Sequence, residues 1–443
     1  MLMVRPVHTK KKSPVAKIIL IGFLSATMGL LLGSKVTLAA EAGADEVFSR
    51  YKNQVVQVRI VEASSRSKST VGSGFLVSPT GHIVTNYHVV ALLIHKPDQY
   101  RGEIVHHDDH TSPLTLLNFD AIHDLAIVQS EREQPSYFKF QTESMDKGER
   151  VYSMGNPWDL GMTIVEGTYS GLLERTLYEK IHFTGSLNAG MSGGPAVTSE
   201  GKVLGVNVAS AGDQLSFLVP AKFANGLVEK TLAEPYEKPK SLLLKLRDQL
   251  LRHQDAYLSS IISQAWDATS LGPYAVPGKI ASFVKCWGSS AQRKKWLYET
   301  VTQSCSFEDG IYLSKTLSTG TLQFTHTYVS SERLNRFRFY SLYQSFFQND
   351  FSDDIGKWFE DEEEVGAFRC LDDFVAPEGP SMKVVFCVRG YKKLPGLYDS
   401  VFKVATVDNN HQGLQGKVTL TGVSFENAQA FGRKFLENAR VSP

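Results

Sequence analysis

A mainly β fold followed by a separate α+β region is what this sequence predicts, and three observations predict it. Between residues 55 and 219 the chain is a series of short β-branched and aliphatic runs, VVQVRIV, GFLVS, HIVTN, LAIVQS, RVYSMG, KVLGVNVAS and SFLVP, broken by Gly, Pro, Asn and Asp. No long helical period separates them, which points to an all-β barrel or sandwich and away from a parallel α/β sheet. Beyond residue 277 the pattern changes to aromatic-rich runs, IYLSKTL, TLQFTHTYV, RFRFYSLY, MKVVFCV and KVTLTGV, which read as strands and close on a helical stretch.

The elements follow in order. At 443 residues, 42% hydrophobic and 21% charged, the chain is long enough for two globular domains after a leader. Residues 1–40 carry six basic residues and no acid, and an apolar run covers 18–33. As a helix that run spans roughly 24 Å, short of the roughly 30 Å a bilayer core requires, so it reads as an export signal, with cleavage after Ala39 or Ala42. Export implies a periplasmic or secreted protein, with membrane contact only if the leader stays uncleaved. Removing the leader's six basic residues from 47 leaves 41 against 46 acidic ones, a formal charge of −5 that argues against nucleic acid as a partner.

After Pro220, Phe223, Leu227 and Val228 fall at helical spacing and predict a helix packed on the second barrel. Residues 234–239 read as a linker. Leu243, Leu246, Leu250, Tyr257 and Ile261 then recur at three, four and seven, predicting an amphipathic helix over 241–266. The terminal helix is expected over 425–438, with Ser424 as its N-cap. All four cysteines, Cys286, Cys305, Cys370 and Cys387, lie in the last third, and an even number in an exported chain suggests two disulfides. Three pairings are open. Cys286 with Cys305 and Cys370 with Cys387 is favoured, because each closes a short loop within a strand-like stretch. No cysteine and histidine spacing matches a structural zinc site, so no metal is expected; acyl transfer through a serine would need no other cofactor. The acidic run at 360–364 lacks the alternating oxygen donors and turn glycine of a calcium loop and reads as a solvated loop.

The chemistry is concentrated in Gly190-Met191-Ser192-Gly193-Gly194-Pro195, which sets a hydroxyl in a glycine-rich turn whose amides can converge. A serine is inert until a base removes its proton, and an imidazole with a pKa near 6.5 can do so at neutral pH. His88 in TNYHVV is the candidate base, and Asp124 in HDLAIV the carboxylate that fixes its tautomer. Asp120, outside the strand, is the rival and reads as a turn cap. The backbone amides of Gly190 and Ser192 are the candidate oxyanion donors. The order His, Asp, Ser is that of the chymotrypsin-type double β-barrel and differs from the subtilisin and α/β-hydrolase orders.

As a set, GSGFLVSPTGHIVTNYHVV, HDLAIVQS, MGNPWDLGMTIVEGTYSGL, SLNAGMSGGPAVTSEGKVLGVNVAS and FLVP resemble the HtrA (Deg) branch of the trypsin-like serine endopeptidases. The resemblance runs from about residue 53 to 232. It implies a catalytic triad of His88, Asp124 and Ser192, protein or peptide substrates cleaved through an acyl-enzyme, and a homo-oligomer. It also places Ser186 at the base of the specificity pocket, where the lack of charge disfavours Lys or Arg and suggests a small or medium aliphatic side chain. Thr184, Gly185, Leu187, Ala189 and Met191 depart from the usual D-A-x-I-N-P-G-N-S-G-G-P. Nothing after Leu232 resembles the PDZ module common in that family. The expected organisation is therefore a leader at 1–40, a protease domain at 44–233, a linker and amphipathic helix at 234–275, and an α+β domain at 276–443. The alternative is a chaperone-like or partner-binding protein that uses the barrels as a scaffold.

Overall fold

The computed structural model describes residues 42–133, 135–210, 216–233, 241–292, 297–307, 309–357, 363–376, 380–407 and 410–441. The leader and the 234–239 linker therefore lie outside the described residues. A short helix, α1 (Ala44–Tyr51), precedes the first barrel, a closed six-stranded ring of β1 (Val55–Glu62), β2 (Lys68–Leu76), β3 (His82–Thr85), β4 (Tyr100–Val105), β5 (Thr111–Asp120) and β6 (Leu125–Ser130). Helix α2 (Tyr87–His95) is inserted after β3. The second sheet comprises β7 (Lys139–Phe140), β8 (Arg150–Gly155), β9 (Thr163–Leu172), β10 (Ile181–Phe183), β11 (Pro195–Val197), β12 (Lys202–Ser210) and β13 (Ser216–Pro220), and the β11–β12 pairing closes six of these strands into a second barrel.

Period-2 geometry explains why the runs are so continuously apolar. Along β6, Ala126 and Val128 belong to the core of the first barrel, while Leu125 and Ile127 belong to the layer between the barrels with Tyr152, Met154 and Val206. In β1, Val56, Val58 and Ile60 likewise point inward and Val55 toward the second barrel. A strand buried on both faces loses the polar half of its alternation. Helix α3 (Ala221–Ala233) seats Ala224 and Val228 in the same inter-barrel layer, so it joins both barrels and not the second alone.

Helix α4 (Leu242–Ser263) is capped by Ser241, whose hydroxyl accepts from the Leu244 amide. It ends three residues short of the expected limit because Trp266 folds back and donates its indole N–H to the Ile261 carbonyl (2.9 Å). Its stripe is divided. Leu246 and Leu250 pack in the core of the first barrel with Tyr87 and Val90, whereas Tyr257, Leu258 and Ile261 pack in the C-terminal core. At about 1.5–3 kcal/mol for each large side chain buried, the helix stabilises both cores and their docking.

The hairpin β14 (Ala268–Leu271) and β15 (Tyr274–Pro277) follows, so residue 276 lies inside a strand. The C-terminal sheet is antiparallel, in the order β16 (Lys285–Gln292), β17 (Glu299–Phe307), β20 (Leu322–Ser330), β24 (Gln412–Val423), β23 (Tyr398–Thr406), β22 (Met382–Gly390) and β21 (Arg369–Val375). Disulfides join Cys286 to Cys305 and Cys370 to Cys387, each directly across a strand pair at one edge of this sheet. Helix α6 (Phe425–Glu437), capped by Ser424, buries Phe431 and Phe435 against it, and β25 (Arg440–Val441) pairs with β15.

Two runs expected as strands fold otherwise. RFRFYSLY opens helix α5 (Arg336–Lys357): Asn335 caps it through the Arg338 amide, and Phe339 and Tyr343, four apart, form its buried face. Phe337, 85% exposed, had completed a false alternation with Phe339. IYLSKTL forms a tight turn between the two-residue strands β18 (Ile311–Tyr312) and β19 (Ser318–Thr319). Among the described residues no helix is long and apolar enough to cross a membrane. Of the acidic run, Glu360, Asp361 and Glu362 lie outside the described residues; Glu364 is not solvated, being paired with Lys393 at 2.6 Å with its side chain 12% exposed.

Candidate active site

Asn86 stands before α2 in an extended conformation and is its N-cap, but its buried side chain makes no cap bond and instead donates to the Asp124 carbonyl (2.8 Å). The open helix amides are thereby left to the Asp124 carboxylate. One of its oxygens accepts the His88 backbone N–H (2.8 Å) and the other bonds His88 Nδ1 (2.6 Å). An ionised carboxylate only accepts, so the proton sits on Nδ1, and Nε2 is left with its lone pair. A negative charge at a helix N-terminus is itself favourable. Burial would depress the His88 imidazolium, but the charge and hydrogen bond of Asp124 outweigh it, and the net shift is upward.

Asp124 holds this position from a left-handed backbone (φ 55°), in a turn pinned from outside. Gln249 of α4 donates to the Phe119 carbonyl (2.8 Å) and accepts the Ala121 amide (2.9 Å). Asp120 caps that turn through the Ile122 and His123 amides and bonds His123 Nδ1 at 2.6 Å, so it is engaged away from His88. His123 in turn stacks on Phe223 of α3.

The Ser192 turn is held by two buried polar residues. Ser73 of β2 donates its amide to the Ser192 carbonyl (2.8 Å) and its hydroxyl to the Gly190 carbonyl (2.7 Å), and accepts the Asn156 amide (2.9 Å). Asn207 of β12 accepts the Gly193 amide on its carbonyl (2.9 Å), and its side chain donates to the Met154 and Met191 carbonyls (3.1 and 3.2 Å). Two glycines let the barrels close on one another. A Cβ on Gly72 would lie 2.6 Å from Val89 and 3.2 Å from the Ser192 carbonyl, and one on Gly193 would lie 2.5 Å from Thr85 Oγ1. The backbones on either side of His88 and Ser192 thus meet across one cleft.

The Ala189 carbonyl accepts the Trp158 amide (2.8 Å). In a trans peptide the following N–H points the opposite way, so this bond sends the Gly190 amide away from the 156–160 loop. Gly190 has φ 95°, and a Cβ there would lie 2.4 Å from the Asn156 carbonyl oxygen. Among the described residues, neither the Gly190 nor the Ser192 amide has an acceptor in the protein. The loop supplying Trp158 is strained, with Trp158 and Asp159 both left-handed, and is tied to the first barrel where Asp159 accepts from Gln57 (2.7 Å), Arg59 (3.4 Å) and Lys68.

The Ser192 hydroxyl donates to the Val208 carbonyl (3.0 Å) and not to His88. That carbonyl is open because β12 breaks register against β13 between Asn207 and Ala209. Ser186 is exposed, between Gly185, packed on the Phe183 ring, and buried Leu187, whose amide donates to Ser216 (3.1 Å). Among the described residues no group of three His, Cys, Asp or Glu is placed to hold a metal. The sequence reading missed Ser73, Asn86, Asn207 and Gln249. It also missed Tyr312, whose ring centroid lies 5.8 Å from that of His88.

Residues 72–206 match the family model of the trypsin-like peptidase domain. The chain is 30% identical over 202 residues to a probable periplasmic serine endoprotease, DegP-like, of Chlamydia pneumoniae, covering 43% of this chain and 39% of that one. It is 33% identical over 172 residues to a protein of the same description from Bartonella henselae, covering 36% and 33%, and 32% identical over 160 residues to the mitochondrial serine protease HTRA2 of Bos taurus, covering 34% of each. The chain thus spans well under half the length of these curated relatives. Among solved structures, it matches the serine endoprotease of Yersinia pestis at 25% identity and a TM-score of 0.38, over 44% of this chain and 68% of that one.

Proposed function

We propose that this chain, which carries an HtrA-like, trypsin-type peptidase domain, is an exported serine endopeptidase that hydrolyses peptide bonds in unfolded or exposed protein segments. Ser192 attacks the scissile carbonyl, His88 takes its proton at Nε2 and returns it to the leaving amine, and Asp124 holds the imidazole. The acyl-enzyme on Ser192 is then released by water activated by the same histidine. The Gly190 and Ser192 amides receive the developing oxyanion, and each such donor is worth about 2.7–4 kcal/mol in the transition state.

The observation that carries this reading is the double engagement of Asp124, which ties both the backbone and Nδ1 of His88 to one carboxylate. His123 is tied to Asp120 in the same way, but it stacks on Phe223, whereas the backbone beside His88 meets the Ser192 turn, so the tie matters here because it is made opposite a serine. Attack begins with a χ1 rotation that lifts Ser192 Oγ off Val208 toward Nε2. That resting bond gives some support to a second reading, in which proteolysis is conditional and the barrels also act as a binding scaffold. Periplasmic location is supported by the description of the Chlamydia and Bartonella relatives. The test is degradation of casein by purified protein: fragments from wild type, and none from Ser192→Ala or His88→Ala, are expected. Equal degradation by Ser192→Ala would overturn the assignment.

A further inference from the structure

The C-terminal region reaches the candidate active site through one turn. Tyr312, at the end of β18, sets its ring edge-on to His88, with centroids 5.8 Å apart and planes at 62°. At that separation the flank of the imidazole is filled by the phenol ring, and no substrate side chain fits between them. The position is over-determined. Ile311, Leu313 and Leu317 on either side of Tyr312 are buried in one cluster with Tyr87, Val89 and Val90 of α2. Asp309, just before the turn, pairs with Lys180 of the second barrel at 2.8 Å. Thr319 of β19 bonds the Tyr391 hydroxyl (2.9 Å), which donates to buried Asp399 (2.7 Å), itself paired with Arg389.

Tyr312 is a wall and not a lid. With the ring in place, the side chains of His88 and Asp124 keep 25% and 19% of their exposure, so the cleft stays open. The contact with His88 is made by the ring, and the Tyr312 phenol makes no hydrogen bond among the described residues. Burial and the Asp124 carboxylate both hold that phenol above its ordinary pKa, as expected for an uncharged ring beside the site.

We infer that the C-terminal region shapes specificity, with the Tyr312 ring excluding bulky side chains from the substrate residue that lies against His88, next to the scissile bond. This rests on the reading of Ser192, His88 and Asp124 as the catalytic machinery.

The test uses full-length wild type, Tyr312→Ala and Tyr312→Phe on peptides built around a mapped casein cleavage site, with Ala or Phe placed on either side of the scissile bond. One methylene of misfit already changes kcat/KM about 10-fold or more, so wild type is expected to favour Ala over Phe at one of these positions by at least ~10-fold. Tyr312→Ala should reduce that ratio by about 10-fold, while Tyr312→Phe keeps it. A merely structural role would lower both peptides together and leave the ratio alone, and that result overturns the inference, as does loss of the ratio in Tyr312→Phe. If Tyr312→Ala does not fold, Tyr312→Leu, which keeps an apolar side chain on the turn, carries the same expectation. Wild type that cleaves no peptide would sink the catalytic reading itself and the wall with it; cleavage with an unaltered ratio would sink only the wall.

Discussion

Gly190→Ala tests the oxyanion geometry in isolation. Gly190 adopts φ 95°, where any Cβ is strained, and the new methyl would lie 2.4 Å from the Asn156 carbonyl oxygen and 3.0 Å from the Trp158 nitrogen. Neither neighbour is free to move: the Asn156 amide is fixed on Ser73, and the Trp158 amide on Ala189. The way out is to turn the 189–190 peptide, which breaks the Trp158 bond and exchanges the Gly190 N–H for a carbonyl. One preorganised donor is then lost, at about 2.7–4 kcal/mol, or a fall of roughly 10²–10³ in kcat. Gly190 is only half-buried and outside the strands, so the melting temperature should hold within a few degrees. The assay is kcat on a cleavable peptide, with a thermal melt of the same preparation. A kcat within about 5-fold of wild type would refute the reasoning, because the amide would then not be needed where the structure aims it.

Other predictions concern charge and burial. The folded pKa of His88 is raised by Asp124, and the base must be neutral, so kcat/KM should fall on acidification with a midpoint above 6.5. In Asp124→Asn the midpoint should move down and kcat should drop by about 10⁴; an unmoved midpoint in the pH profile would detach Asp124 from the histidine. His326 is fully buried, with neither ring nitrogen partnered among the described residues, and its pKa is pushed down by burial to about 3. The unfolded chain therefore binds the extra proton between about pH 6.5 and 3, so this stability is complete above 6.5 and is lost as pH falls, at about 1.4 kcal/mol per unit. Melts at pH 7 and 5 should differ less in His326→Phe than in wild type, by an amount worth about 2 kcal/mol. Arg389→Met leaves the Asp399 carboxylate, which is 1% exposed, without its cation and should cost about 3–5 kcal/mol in denaturant melts; adding Asp399→Leu should not restore the loss, because the buried Gly422 amide and Tyr391 hydroxyl then lose their acceptor.

The three candidate catalytic side chains were legible because each lies in a local context that proclaims it, a serine among glycines or an aspartate opening a buried strand. What holds them was not. Ser73 looks like any polar strand residue until the fold sets it beside Gly190, far along the chain, and Asn207 is one asparagine in a strand until its carbonyl meets the Gly193 amide. The barrels could be read from short apolar runs because strands buried on both faces leave that signature, whereas the aromatic alternation of RFRFYSLY imitated a strand on a helix whose buried pair is spaced by four. Helix α4 was visible in its periodicity, but nothing in a stripe says that its two ends enter different cores. Tyr312 carried no motif, since its role comes only from where a distant turn docks.

The central claim is that His88 activates Ser192, and a fluorophosphonate probe tests it most directly. Mass spectrometry of the treated protein should find a single adduct on Ser192, formed quickly by wild type and at least ~10³-fold more slowly by His88→Ala. An adduct that forms equally fast without the imidazole, or none on Ser192 in protein shown to be folded, would contradict the account.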